Sequence, residues 1–172
     1  MQPIDSRTVY EGQIVTVRIE TFRELDGEET EREIVEHPGA VAVVAHDDEH
    51  IFLVRQPREA VGEDRLLELP AGKLDVQGEE PIDCAKRELE EEAGLRAEIW
   101  REMKRLYTSP GFAREEVIVF EATGLERTES SPDEGERLEL VEAGIEDLDD
   151  LIAECADAKS LVGLLLLRAQ RA

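Results

Sequence analysis

An α/β fold, with helices layered on a mixed β-sheet, follows from three features of this 172-residue chain. Residues 39–45 (GAVAVVA) and 51–55 (IFLVR) are nearly continuous apolar runs, as strands buried on both faces are. One helix with a strongly patterned acidic face follows them, and further strand-like runs follow that helix. Two more helical patterns then close the chain. Such elements bury their apolar faces on one another as layers, here an α/β/α sandwich around a mixed sheet.

Taken in order, residues 8–24 show Ile14, Val15, Val17, Ile19 and Phe22 in largely alternating positions, which predicts one or two strands. Asp26-Gly27 supplies turn chemistry, and residues 32–36 return as a further strand. This N-terminal hairpin lacks a core of its own and needs a surface to pack on, the main body or another subunit. Residues 1–38 are therefore expected to be an extension, and residues 39–172 the main domain. Residues 47–50 turn the chain so that 51–55 runs antiparallel to 39–45. Residues 66–69 lead into a loop.

Residues 83–93 are expected to be continuous helix. Pro81 sits in its first turn, where a missing N–H costs least, and Gly94 supplies the left-handed stop. Residues 97–106 and 116–123 predict strands joined through a loop at 108–113. Residues 128–137 read as a solvated acidic loop and 138–141 as a short strand. Leu148, Leu151, Ile152 and Cys155 give residues 145–156 helical spacing. The last helix, residues 160–171, takes Ser160 as its expected N-cap and sets Arg168 and Arg171 at its C-terminal end, where they suit the helix dipole.

Composition narrows the functional classes. The formal net charge is −23, with sixteen Arg and four Lys. Such charge opposes binding to nucleic acid or to an anionic membrane. It also opposes compaction, a penalty that fades when molar salt shortens screening to about 3 Å. The acid-rich, Lys-poor composition thus points to a salty cytoplasm. Cys84 and Cys155 give no disulfide framework and no metal spacing, and read as small packing residues in predicted helices. His37, His46 and His50 lack the spacing of a zinc site and fall near strand ends. No basic-plus-apolar leader opens the sequence, and no apolar run is long enough to span a bilayer. A soluble cytoplasmic protein is the expectation.

At 100° per residue, Ile82, Ala85, Leu89 and Ala93 form one apolar stripe of the acidic helix. Glu88, Glu91 and Glu92 fall on a neighbouring, partly exposed face, because positions i, i+3 and i+4 stack. Arg87 can pair with Glu91 but neutralises only one charge. A hard divalent cation would neutralise the rest, and Mg²⁺ takes carboxylate oxygens while keeping waters for a phosphate to replace. The same cluster also reads as a solvated acidic face.

The order of residues goes further. R-E-L-E-E-E-A-G-L at 87–95, preceded by Glu79 and Gly72, resembles the Nudix box, G-x5-E-x7-R-E-U-x-E-E-x-G-U with U aliphatic. Glu79, Arg87, Glu88, Leu89, Glu91, Glu92, Gly94 and Leu95 match. Six residues rather than five separate Gly72 from Glu79, so the loop carries one extra residue near 76–78.

Three more stretches resemble the ADP-ribose pyrophosphatase branch of that family. Ser109-Pro110-Gly111-Phe112-Ala113-Arg114-Glu115 matches S-P-G-F-x-x-E, with Pro110 fifteen residues past Leu95. Arg55-Gln56-Pro57-Arg58 followed by L-E-L-P-A-G-K-L at 67–74 matches R-Q-x-R … L-E-L-P-A-G-K-L, with Pro57 where an aromatic is usual. Arg32-Glu33, ahead of Glu36-His37-Pro38-Gly39, falls where the branch places a substrate-contacting arginine, often reaching across a dimer.

The resemblance implies an Mg²⁺-dependent hydrolase (Mn²⁺ as a substitute) that splits ADP-ribose into AMP and ribose 5-phosphate. It implies Glu88, Glu92 and the Ala71 carbonyl as metal ligands, and Glu115, Glu91 and Arg87 in catalysis. It implies Arg32, Arg58 and Gly111 as substrate contacts, and a homodimer. Hydrolysis of another sugar nucleotide, FAD or a dinucleoside polyphosphate is the alternative within enzymes. A Nudix-like ligand sensor without turnover is the alternative outside them. The intact Glu88, Glu91 and Glu92 favour an enzyme.

Overall fold

Three N-terminal strands, β1 (Asp5–Glu11), β2 (Thr16–Arg23) and β3 (Glu29–Glu36), run as an antiparallel meander. The computed structural model describes residues 3–128 and 137–172, and divides the chain into two compact units. The first unit is Met1–Gly39 with Leu106–Glu116. Of the one or two strands expected over 8–24 the structure shows two, so that with β3 the N-terminal hairpin extends to a three-stranded meander. Its first strand carries seven exposed residues, so no buried face marked it in the sequence. Gly27 takes a φ of 91° at the β2–β3 turn, a value that favours glycine. A fourth, two-residue strand, β9 (Ala113–Arg114), lies parallel to the end of β3 and closes this sheet.

The second unit is Ala40–Arg105 with Val117–Ala172. It holds β4 (Ala40–His46), β5 (His50–Arg58), β6 (Glu63–Glu68), β7 (Ala71–Lys73) and helix α1 (Pro81–Ala93). After α1 come β8 (Leu95–Tyr107), β10 (Glu116–Arg127), β11 (Glu139–Gly144), α2 (Leu148–Glu154) and α3 (Ala158–Arg171). The sheet runs β11-β5-β4-β10-β8. β10 lies parallel to β4, and β11 antiparallel to β5. β4 and β5 share only Ala45↔Phe52 and His46↔Ile51. Beyond that they part, β7 pairing with β4 and β6 with β5. The loop between β6 and β7 therefore starts from a split in the sheet.

The continuous apolar run of β4 is buried at six of its seven positions, as its composition predicted. Alternate side chains feed two layers. Val41, Val43, Phe52, Ile118 and Phe120 pack with Cys84, Ala85, Leu89 and Ala93 of α1. Val44 and Val119 point the other way, toward Gly163 of α3, where an added Cβ would lie 2.9 Å from Val44 and 2.5 Å from Leu69. Glycine there lets α3 approach the sheet closely. Helices thus cover both faces of a mixed sheet, as expected.

Some boundaries move. A 3₁₀ turn (Ile145–Asp147) precedes α2, and Cys155 follows that helix instead of lying within it. The N-cap of α3 is Asp157, not Ser160. The Asp157 carboxylate accepts the Ser160 N–H at 3.0 Å, and Ser160 lies fully buried inside the first turn. The acidic loop expected over 128–137 falls, for residues 129–136, outside the described residues. No helix among the described residues is long and apolar enough to cross a membrane.

Candidate functional site

Helix α1 carries the acidic constellation. Pro81 opens it, and Gly94 ends it in the left-handed region at φ 60°, ψ 40°. Arg87 is the hub of the acidic face. Its Nε and Nη2 donate to Glu79 at 3.0 and 3.1 Å. Its Nη1 donates to Glu88 at 2.7 Å and to Glu91 at 2.8 Å. One guanidinium thus serves three carboxylates. The bond to Glu79 first, and those to Glu91 and Glu88, push the Arg87 pKa up. The same contact to Arg87 holds the Glu79 carboxyl below the usual carboxylate range.

Glu92 stands apart from that hub. It is only 7% exposed, which corrects the expected partly exposed position. Its Oε2 accepts the Ala71 N–H at 2.8 Å and so ties the last turn of α1 to β7. Ala71 and Gly72 lie on β7 beside this helix. A Cβ on Gly72 would sit 1.9 Å from Glu88 Oε1. Gly72 is therefore the space in which the Glu88 carboxylate lies, a local reason for glycine at the head of the box. Cys84 lies beneath the hub, where burial first and the Glu88 charge second push its thiol up to about 12. It stays a neutral packing group.

The donor set fits a hard cation. Two carboxylates converge on one atom, Arg87 Nη1. The helix ends with no basic residue in its last turn, so the negative end of its dipole adds to the acid cluster. Among the described residues no group of three or more His, Cys, Asp or Glu side chains is arranged to hold a metal ion by itself. Mg²⁺ sites commonly use one or two carboxylates and leave the remaining positions to water and substrate phosphate. The oxygens of Glu88 and Glu92 and a backbone carbonyl suit that division.

Arg58, also in the second unit, is bidentate to Glu68, with Nε and Nη2 donating at 2.5 and 2.8 Å. That bond raises the Arg58 pKa against the opposing effect of burial. Glu68 is fully buried and also accepts from Lys159 of α3 at 2.6 Å. Neither Glu68 nor Lys159 was singled out in the sequence. A carboxylate inside the apolar run Leu66-Leu67-Glu68-Leu69 was the available signal.

Arg32, Gly111 and Glu115 belong to the first unit. Arg32 Nη1 donates to the Glu31 carbonyl at 3.0 Å, and Nη2 lies 3.6 Å from Glu24. Gly111 has open space where a Cβ would point. Glu115 accepts from the Thr108 hydroxyl at 2.5 Å and lies 3.6 Å from His37 Nδ1. That His37 nitrogen accepts the Gly39 N–H at 3.1 Å. The structure thus gathers Ala71, Arg87, Glu88, Glu91 and Glu92 around one helix in the second unit, and places Glu115 in a polar cluster with Thr108 and His37 in the first.

Known proteins with similar sequences agree with this construction. A family model described as the NUDIX domain matches residues 35–162. The chain is 40% identical over 174 aligned residues to an ADP-ribose pyrophosphatase of Bacillus subtilis (strain 168), covering 98% of this chain and 93% of that protein. It is 36% identical to a methanol dehydrogenase activator of Bacillus methanolicus, with the same coverage of 98% and 93%. A solved structure described as an ADP compounds hydrolase matches with a TM-score of 0.85 over 98% of this chain and 92% of that one. At 24% identity, that likeness speaks for the fold alone. With the box helix, the Gly72 space and these matches together, the chain belongs to the Nudix hydrolase family.

Proposed function

We propose that this Nudix hydrolase cleaves the diphosphate of ADP-ribose to give AMP and ribose 5-phosphate, with Mg²⁺ as its cofactor and Mn²⁺ as a substitute. The observation that carries the reading is the intact acidic face of α1, with Glu88 and Glu91 bonded to Arg87 and Glu92 bonded to the Ala71 N–H. The S-P-G-F-x-x-E stretch and the near full-length match to a relative of that name direct it to ADP-ribose.

In this reading Glu88, Glu92 and the Ala71 carbonyl hold the cation. When bound, it supplies charge neutralisation on the diphosphate and makes an attacking water more acidic. Arg87 holds Glu88 and Glu91 in place and keeps like charges on one helix face compatible. Glu115 acts as general base on the attacking water, with Glu91 as second candidate. Arg32, Arg58 and the Gly111 loop bind substrate. The planar fork of Arg58 suits a diphosphate.

The catalytic domain of this reading is residues 39–172, preceded by the extension 1–38. The protein acts as a homodimer, and the exposed β1 supports this, with Val9 and Tyr10 exposed on it. A cytoplasm of high salt is supported by the net charge of −23. A second reading, activation of an alcohol dehydrogenase, has the Bacillus methanolicus match behind it.

The test is AMP release from ADP-ribose with MgCl₂ in molar KCl, beside sugar nucleotides, FAD and dinucleoside polyphosphates. Selective release from ADP-ribose is expected. Preference for another panel member would overturn the substrate. Silence across the panel, from protein shown folded in that salt, would overturn the enzyme. Added to a methanol dehydrogenase, the chain tests the second reading by whether alcohol oxidation accelerates.

A further inference from the structure

The buried Glu68 carboxylate is held by two cations. Arg58 grips it through two bonds, and Lys159 Nζ donates to Oε2 at 2.6 Å. The two cations are held differently. The Arg58 side chain is 42% exposed, and Nε and Nη2 carry its bonds. The Lys159 side chain is 15% exposed and fixed from several directions. Its Nζ also lies 3.0 Å from Asp157, the N-cap of α3. The next residue, Ser160, donates its hydroxyl to Asp157 at 2.6 Å and accepts the Leu69 N–H at 2.7 Å. The helix turn that carries Lys159 is thus bolted to the residue after Glu68.

We propose that Lys159 is a positioning residue that keeps the buried Glu68 carboxylate neutralised, so that Arg58 can turn from Glu68 to the anionic diphosphate of the substrate. The proposal rests on the hydrolase reading above. A buried carboxylate stripped of every cation is costly, whereas one that keeps a close ammonium is not. With Lys159 in place, Arg58 exchanges one bidentate acceptor for another. Without it, Arg58 is locked to Glu68, and the fraction of protein able to bind substrate falls. Apparent affinity falls by that same fraction.

The experiment is steady-state AMP release by the full chain with Mg²⁺, comparing wild type with Lys159→Met and Lys159→Arg. Lys159→Met is expected to raise KM about tenfold or more while kcat stays within about twofold, the signature of lost uniform binding. Lys159→Arg restores the charge and is expected to bring KM back to within about threefold of wild type. In an Arg58→Ala background Lys159→Met should add nothing further, because the two changes act through one group.

A second pair covers the case in which Lys159→Met does not fold. Glu68→Gln and Glu68→Gln/Lys159→Met should share one KM, because a neutral amide no longer holds Arg58. A KM that rises on removing Lys159 in that background too would place Lys159 on the substrate itself and overturn the proposal. Unchanged KM for folded Lys159→Met would overturn it as well. If the folded wild type turns over no panel substrate, the hydrolase reading falls and takes the proposal with it. If wild type prefers another diphosphate, the same KM ratios are read on that substrate.

Discussion

Each unit buries one strand glutamate against a bidentate arginine, and the two glutamates differ in the number of cations bonded to them. Glu20 of β2 is 2% exposed and held by Arg114 of β9, whose Nη1 and Nη2 donate to it at 2.8 and 2.5 Å. Arg114 is shared with Glu36 at 3.1 Å, and Glu36 takes Arg18 at 2.8 Å. There one arginine serves two acids. Around Glu68 one acid is served by two cations, Arg58 and Lys159. The surroundings differ as well. Among the described residues, Glu20 and Gly39 are the only buried residues of the first unit, whereas Glu68 borders an apolar core. The lesson is that bidentate geometry alone does not say whether an arginine is structural. The count of alternative cations does.

The largest effect separating the clamps is expected from Arg114→Ala. It leaves Glu20 buried without its bidentate partner, and breaking such a pair costs about 3–5 kcal/mol. Denaturant unfolding measures it. Arg58→Ala is expected to cost only about 1–2 kcal/mol in the same assay, because Lys159 remains on Glu68. Equal losses in the two variants would break the comparison.

The Arg87 hub, one cation with three carboxylates, resembles the Glu20 clamp in sharing one arginine among several acids, and it lies on the helix to which we assign the proposed catalysis. Gly72→Ala there forces the Glu88 carboxylate out of its place. If Glu88 is the metal ligand we propose, a kcat loss of about 10²-fold is expected, since a misplacement near 1 Å costs that much. Near-normal kcat would remove Glu88 from the site.

The smallest effect concerns Glu79. Arg87 holds its carboxyl below the usual range. The folded state therefore binds this proton less readily than the unfolded chain. The resulting stability is present above the unfolded value of about 4.3 and is lost as pH falls through the lowered folded value. Comparing the unfolding midpoints of wild type and Glu79→Gln should show a gap below about 1 kcal/mol at pH 7, the usual size for a partly exposed pair. The gap should shrink toward pH 3. A gap that widens on acidification would reverse the sign.

What was legible in the sequence follows from what each region buries. β4 and α1 could be read because burial imposes a pattern on them: six buried positions in one, a stripe of Ala85, Leu89 and Ala93 in the other. The hub was half visible. Arg87 and Glu91 are one helical turn apart, so their pairing could be read from spacing. Glu92 could be placed on the face but not buried there, because its partner, the Ala71 N–H, lies twenty-one positions earlier. β1 could not be delimited, since seven exposed residues leave no alternation. Ser160 was mistaken for a cap because it opens the leucine pattern; its hydroxyl is instead engaged with Leu69 and Asp157. Lys159 was invisible as a partner of Glu68 because ninety-one positions separate them and only the folded sheet brings them together.

The Ser160 hydroxyl has a consequence for how the protein is made. It accepts the backbone N–H of Leu69, two residues before Ala71, across a separation of ninety-one residues. At about 5–20 residues per second, a ribosome takes roughly 5–20 s to travel that distance. Throughout that interval the Leu69 N–H has been synthesised without the acceptor that it meets in the folded protein. The acidic helix and the bonds of Pro70 to Val43 and of Ala71 to Glu92 can form early, but the Leu69 N–H waits for α3. A nascent chain stalled before Ser160 should therefore show a protected core helix and a protease-sensitive bond near Leu69.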